Sequence, residues 1–450
     1  MKKWLLLAGL LLVTATWVTA AESAEALRLS LPQAVALALV DNPDFVLARH
    51  RQQSAAISVE ATRGRYLPSL QGSVGASENY QHQTAPGVPD QQQNADLQLT
   101  ASINLFNGFA DQAALDASRQ QLQAADADLL RQRQILTFTV ASRFITVLSD
   151  DELVQVAAQN LKNQQDLEQQ IEAFQRAGVR SVTDLYQQQA ATAQAEFNLV
   201  DARRNLQVAK LQLLQTLGRT PPTTIEVLPP GTQAFSAELE NLDPGRIYAE
   251  SLASRPDLLA QQRQIDAARQ QIRVARAGYL PSLDLQATGG TGYSSAGNGS
   301  FSGQLDDNRG ASLGLKLSIP IFDRDQTRTN VAQAQLSVAD AATTLHKLQQ
   351  QIGLEVGQAL ADYQRARQQL FAVGRQLDYA RQALAASEAR YRVGAMTWIE
   401  AANARTVYVQ AQGDEIRARY SVLLQGLNVG FSRGDLEKLM NLLATQESSL

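Results

Sequence analysis

The pentapeptide Tyr-Leu-Pro-Ser-Leu stands at residues 66–70 and again at 279–283, an offset of 213 residues, and its surroundings repeat with it. Upstream, Asn42-Pro43-Asp44 is matched by Arg255-Pro256-Asp257 at the same offset. Downstream, Ser102-Ile103-Asn104-Leu105-Phe106 is matched by Ser318-Ile319-Pro320-Ile321-Phe322, and Gly178 by Gly394, both pairs 216 apart. The offset changes once, by three residues, between two otherwise collinear halves. Self-similarity of this kind means one supersecondary unit built twice.

Within each half the hydrophobic period changes. Leu70, Gly72, Val74 and Ala76 alternate with Ser69, Gln71, Ser73 and Gly75, and Leu97, Leu99, Ala101, Ile103 and Leu105 with Gln98, Thr100, Ser102 and Asn104. The second half repeats this with Leu283, Leu285 and Ala287, then with Leu313, Leu315, Leu317, Ile319 and Ile321. Period two reads as strand, and segments of about ten residues have the length a tilted strand needs to cross a bilayer. The pattern predicts strand pairs at about 66–80 and 95–106, and at about 279–293 and 311–322. Pro68 and Pro281 fall at strand starts, where a missing N–H is tolerated. Polar, turn-rich segments at 81–94 and from 289 to 310 are expected to be loops.

The remainder reads as long helix. No proline occurs between Pro89 and Pro221, and none after Pro320, while Gln, Ala, Leu and Arg dominate; these are good helix formers. From 107 to 177 the only glycine is Gly108, so one helix of roughly 100 Å is allowed at 1.5 Å per residue. Phe144, Val147, Val154, Leu161, Leu167, Ile171 and Phe174 supply a broken apolar seam, which calls for helical partners along it. At the far end Gly178 suits the left-handed position that stops a helix, and Ser181-Val182-Thr183-Asp184 suits a cap that starts the next. Gly394 with Thr397-Trp398-Ile399-Glu400 repeats the device.

Residues 1–20 are expected to be a secretory leader: Lys2-Lys3, an apolar run and a small-residue site ending at Ala20 have the required order. The chain has no cysteine, which excludes disulfides, thiolate metal sites and lipid attachment after the leader. The formal charge of −4 argues against nucleic acid as a partner. His50, His82 and His346 are far apart and share no metal-ligand spacing. No nucleophile–base pairing or phosphate loop stands out, so no enzyme, cofactor or metal is expected.

The sequence then divides into the leader (1–20), a first repeat (21–218, hairpin tip 178–184), a linker (219–245), a second repeat (246–429, hairpin tip 394–400) and a polar C-terminal tail (430–450). Four strands cannot close a membrane barrel, for which about eight is the minimum, and an open edge is not tolerated in lipid. Several chains must therefore combine, two giving eight strands and three giving twelve.

The order of helix, Tyr-Leu-Pro-Ser-Leu, strand pair and long helical hairpin with a capped glycine tip, repeated once, resembles the TolC-type outer-membrane efflux protein family. The opening at residues 29–45 is similar to that family's start. The resemblance spans nearly the whole chain after the leader. It implies a mixed α+β membrane protein: a homotrimer with a twelve-stranded transmembrane β-barrel in the outer membrane and a periplasmic α-barrel. It implies a passive exit duct for drugs or other small molecules, working with a periplasmic adaptor and an inner-membrane transporter; type I protein secretion uses the same architecture. Carried across, Gly178, Val179, Gly394 and Ala395 match hairpin-tip positions that adaptors grip. Thr183, Asp184 and Tyr391 match a periplasmic gate, and Glu400 matches a pore-facing carboxylate. One departure is Met396, where a gate arginine stands in a family member; Arg180 and Arg392 are the candidate substitutes.

Asp184 and Glu400 also have a plain structural reading, since an acid at the third helical position is stabilised by the free N–H groups and dipole of the helix start. A periplasmic adaptor or a coiled-coil scaffold would explain the helices but not four strands of bilayer length.

Overall fold

The computed structural model describes residues 27–80, 91–221, 223–229 and 243–444. The expected leader, most of the first strand-to-strand loop, much of the linker and the last residues of the tail lie outside them. Chain order is β1 (Leu27–Leu29), α1 (Leu31–Asp41), α2 (Pro43–Arg63), β2 (Ser69–Tyr80), β3 (Gln91–Asn107), α3 (Ala110–Arg176), α4 (Val182–Thr216) and β4 (Ile225–Val227). There follow α5 (Pro244–Ser254), α6 (Pro256–Arg276), β5 (Ser282–Ser294), α7 (Phe301–Asp307), β6 (Gly310–Ser318), α8 (Gln326–Arg392), α9 (Trp398–Arg433) and α10 (Leu436–Ala444). The fold is mostly helical. Each Tyr-Leu-Pro-Ser-Leu copy marks a hand-over, in which a 3₁₀ turn ending at Tyr66 or Tyr279 leads through the proline into β2 or β5.

Strands β2, β3, β5 and β6 form one antiparallel sheet in that order. Its register carries the alternation of each strand across the whole sheet. Leu70 lies opposite Ala101, Ala101 opposite Ala287, and Ala287 opposite Leu313; Ile103, Leu285 and Leu315 form a second such row. The rows between them are polar, as in Gln71, Thr100, Thr288 and Ser312, or Asn104, Asp284 and Lys316. Asn104 Nδ2 donates to Asp284 Oδ1 at 2.7 Å across this face. A bulge between Asn104 and Phe106 absorbs Leu105 and returns Phe106 to the line of Leu283 and Leu317. One face is thus apolar and exposed, with Val74 81% accessible; the other is polar.

Strand ends differ from the alternation in three places. β3 begins at Gln91 because residues 91–94 pair with β2, and β5 runs to Ser294 because residues 289–294 pair with β3. Residues 91–94 and 289–294 are therefore ladder, not loop. The segment between β5 and β6 contains α7, whose Gln304 closes the exposed end of β5: Gln304 Oε1 accepts from Ser294 N at 2.9 Å. β6 stops at Ser318, since Pro320 offers no N–H to a ladder. Ile319 and Ile321 lie beyond it.

The helices form two hairpins, α3–α4 and α8–α9, whose long first arms have 67 residues each. The core lies part-way along them. Leu31, Ala34 and Ala38 of α1, Val140, Phe144 and Val147 of α3, Leu213 of α4, Ile352 and Val356 of α8, and Leu427 of α9 pack together there. Segment β4 of the linker pairs in parallel with β1 beside this core. The polar tail expected from 430 is instead the last turn of α9 followed by α10, with Leu436 and Leu439 fully buried. Their i, i+3 spacing puts both on one helical face, and Leu439 sits where a Cβ on Gly430 would fall.

The two halves are pinned alike. Gly218 and Gly434 end their hairpins at φ 72° and 91°. A Cβ on Gly218 would meet Asp41 O at 2.3 Å, and one on Gly434 would meet Ser254 Oγ at 3.0 Å. Asn42 Nδ2 donates to Thr216 O at 2.9 Å in one half; Ser254 Oγ donates to Arg433 O at 2.6 Å in the other. The second half adds an ion-pair cluster. Arg255, with its side chain 2% exposed, holds Asp257 at 2.6 Å and Glu355 at 2.6 Å.

Candidate functional site at the hairpin tips

Both tips are built by short-range rules. After α3, Gly178 takes φ 74°, a conformation that costs glycine little and other residues about 1–2 kcal/mol. Its turn returns Val179 N to Phe174 O at 2.9 Å. Ser181 Oγ then accepts from Asp184 N at 3.1 Å and starts α4. After α8, Gly394 repeats the φ of 74° and Ala395 N returns to Arg390 O at 2.9 Å. Here the cap is reciprocal, with Thr397 Oγ1 accepting from Glu400 N at 3.3 Å and Glu400 Oε2 accepting from Thr397 N at 2.9 Å. Neither glycine has an atom within 4 Å of an added Cβ, so both tips project into open space. Val179 and Ala395 are exposed beside them.

The tips of the two hairpins meet through Arg180 and Tyr391. Arg180 Nη2 donates to Tyr391 O at 3.2 Å, and its guanidinium lies 4.3 Å from the ring centroid. The Tyr391 hydroxyl is buried without a hydrogen-bond partner among the described residues. Burial pushes that hydroxyl's pKa up; Arg180 opposes the shift and the nearby Asp184 carboxylate adds to it. Arg392 does not take this role: its Nε reaches only Glu388 O of its own helix, at 3.4 Å. Met396 is half-buried.

The structure thus brings Asp184, Tyr391 and Arg180 together and leaves two named residues apart from them. Thr183 is exposed on the first turn of α4. Glu400 is exposed and occupied in its cap. The Thr397 N–H, then the Thr397 hydroxyl, hold its carboxyl below the usual carboxylate range.

Sequence reasoning missed the next layer. Gln188 of α4 is 1% exposed. Its Nε2 donates to Gln164 O of α3 at 3.0 Å, and its Oε1 accepts from Trp398 Nε1 of α9 at 3.1 Å. One glutamine therefore joins three helices of both hairpins. Arg405 pairs with Glu388 across the second hairpin. The available signal was Trp398, the only tryptophan after residue 20. Above the tips the hairpins diverge around a cleft of about 1220 Å³ lined by Phe174, Arg180, Tyr391, Trp398, Tyr408 and Tyr420. At its upper end the Tyr420 hydroxyl donates to Glu152 Oε1 at 2.6 Å, linking α9 back to α3.

No helix among the described residues is long and apolar enough to cross a membrane, and no group of His, Asp and Glu among them is placed to hold a metal. Residues 34–219 and 247–429 match the family model described as outer membrane efflux protein. The chain is 29% identical over 418 residues to outer membrane protein TolC of Escherichia coli K12, covering 91% of this chain and 83% of that one. It is 27% identical over 409 residues to the pyoverdine export outer membrane protein OpmQ of Pseudomonas putida, covering 87% and 83%. Among solved structures, the outer-membrane channel OprN superposes with a TM-score of 0.73 at 23% identity, covering 90% of each chain. The open-state MtrE outer membrane channel of Neisseria gonorrhoeae gives 0.72 at 20% identity, covering 90% and 89%.

Proposed function

The chain belongs to the outer membrane efflux protein family, and from that premise we propose that it is the outer-membrane exit duct of a tripartite export system, conducting small molecules passively and gated at the helical tips. The observation that carries this reading is the sheet. Its apolar residues share one face, and its two edges, β2 and β6, have no partner on their outer sides among the described residues. Because each neighbour in the order β2-β3-β5-β6 is antiparallel, β2 and β6 run in opposite directions. The β6 of one copy can therefore continue antiparallel onto the β2 of the next, and a ring of copies closes with no edge in lipid. Three copies give twelve strands, a polar lumen and an apolar exterior, the division expected of an outer-membrane barrel. The hairpins then hang into the periplasm as an α-barrel.

In this arrangement Gly178, Val179, Gly394 and Ala395 present the surface that a periplasmic adaptor grips. The gate is the contact between Arg180 on the first tip and Tyr391 on the second, with Asp184 beside it and Thr183 on the same turn. Arg180 supplies the cation that Met396 does not. Glu400, one copy per chain, makes an acidic ring that favours cations.

Single-channel current in a planar bilayer tests the reading. Discrete cation-selective steps are expected, with selectivity reduced in Glu400→Ala and longer open times in Arg180→Gln. Steps whose selectivity ignores Glu400→Ala return that residue to capping alone. Protein that never conducts and runs as a monomer in mild detergent overturns the duct.

A further inference from the structure

The junction between the sheet and the helices carries a second surface. In the first half, β3 passes into α3 through Gly108 and Phe109, both left-handed at φ 67° and 65°. The second half uses the same two positions, 216 residues on, for Arg324 and Asp325 at φ 56° and 62°. The helix start is also shared: Asn107 Oδ1 accepts from Asp111 N at 3.3 Å, and Asp323 Oδ2 from Thr327 N at 2.8 Å. Glycine at the first position is demanded by crowding in the first half, where a Cβ would lie 2.8 Å from Leu280 Cβ. In the second half an exposed arginine is held in a backbone conformation that glycine would adopt without strain. A strained residue that does no local packing work points to a role elsewhere.

Arg324 has neighbours of its own kind. Arg276 ends α6, next to Gly278, where an added Cβ would meet Thr327 Oγ1 at 2.8 Å. Arg328 lies on the first turn of α8, one residue past Thr327. All three arginines are exposed, and none takes part in an ion pair or side-chain hydrogen bond among the described residues. Arg65, at the matching junction of the first half, has only a loose pair with Asp111 at 3.8 Å. Of the local acids, Asp323 is engaged by the α8 N-terminus and Asp325 is its N-cap residue. Close by in the chain are exposed apolar side chains: Tyr279 and Leu280 after Arg276, and Ile321 at 96% and Phe322 at 81% before Arg324. They lie at the helical end of the sheet, just outside the strands Ser282–Ser294 and Gly310–Ser318.

We propose that Arg276, Arg324 and Arg328 form a basic collar that binds the phosphate of anionic phospholipid headgroups in the periplasm-facing leaflet. The proposal rests on the barrel reading above, which places this end of the sheet at that leaflet. Aromatic side chains at the interface with cations just outside it are the arrangement that anchors a protein at the headgroup level. The guanidinium fork matches phosphate geometry.

The test uses Tyr279→Trp as a reporter, reconstituted in vesicles of brominated phosphatidylglycerol or brominated phosphatidylcholine. Trp398 sits at the tips, roughly 100 Å from the bilayer, and gives only constant background. Phosphatidylglycerol should quench the reporter in preference. That preference should fall about five-fold for each arginine removed in Arg276→Gln, Arg324→Gly and Arg328→Gln. Arg324→Gly relieves backbone strain, so its loss of preference does not come from unfolding, and Arg324→Lys should retain it. Equal quenching by both lipids overturns the collar and leaves the barrel standing. Preference that survives all three substitutions also overturns it, as does preference abolished by added inorganic phosphate, which would make this a free-phosphate site. No quenching by either lipid overturns the collar and the membrane reading together.

Discussion

At Asp257 two opposing effects meet on one carboxyl. Burial pushes its pKa up, but the hydrogen bonds from Arg255 and the charges of Arg255 and Arg131 outweigh this and hold it below the usual value. A carboxyl lowered in the folded state contributes stability that is present above its unfolded pKa of about 3.9 and is lost as pH falls through the folded value. Arg131, 8% exposed over Phe431, is lowered by burial first and by Arg255 next, to about 10, and stays charged at neutral pH. Unfolding followed by circular dichroism should show stability falling below about pH 4 in the parent. Asp257→Ala should lose about 3 kcal/mol at neutral pH and flatten that acid limb. An unaltered acid limb would remove Asp257 from the linkage. None of this pairing was legible in the sequence. Arg255-Pro256-Asp257 marked the repeat, but Glu355 lies 100 residues from Arg255, and Tyr391 lies 211 from Arg180. The glycine tips and their caps were legible because every backbone and capping hydrogen bond in them spans six residues or fewer.

Elements follow the same division between local and non-local causes. Alternation located all four sheet strands, since burial on one face imprints a period of two whatever the partner. It misjudged their ends, because an end depends on the neighbour: β3 is prolonged by pairing with β2, and β6 is cut by Pro320. α10 was read as a polar tail although Leu436, Leu439 and Met440 share a face, because nine residues of helix are too few for periodicity to outweigh the flanking charges. The alternation itself makes a sharp prediction. Val74 and Ser73 are adjacent on β2 and point to opposite faces. Val74→Lys should weaken insertion into vesicles by about 2–4 kcal/mol, whereas Ser73→Lys on the polar face should insert normally. Equal effects would mean that the apolar face is not the one against lipid.

For the whole molecule, the equality of the two long arms matters more than the length of either. α3 and α8 each have 67 residues, and their return helices have 35 and 36, so both tips reach the same depth below the sheet. The three-residue difference between the halves falls before β3 and β6, on the opposite side of the sheet from the tips. A helix is a ruler with coarse graduations: one extra residue lengthens it by about 1.5 Å and turns everything beyond it by about 100°. A single alanine inserted in α8 after Ala385 should therefore carry Tyr391 away from Arg180 and leave the pore open, visible as a persistent current in the bilayer. An identical insertion in the segment between β5 and α7 should be silent. If both insertions behave this way, length is a tolerance here, free at the outer rim and fixed to a single residue along the shafts, as the proposed trimer requires if its six long arms are to end in one plane.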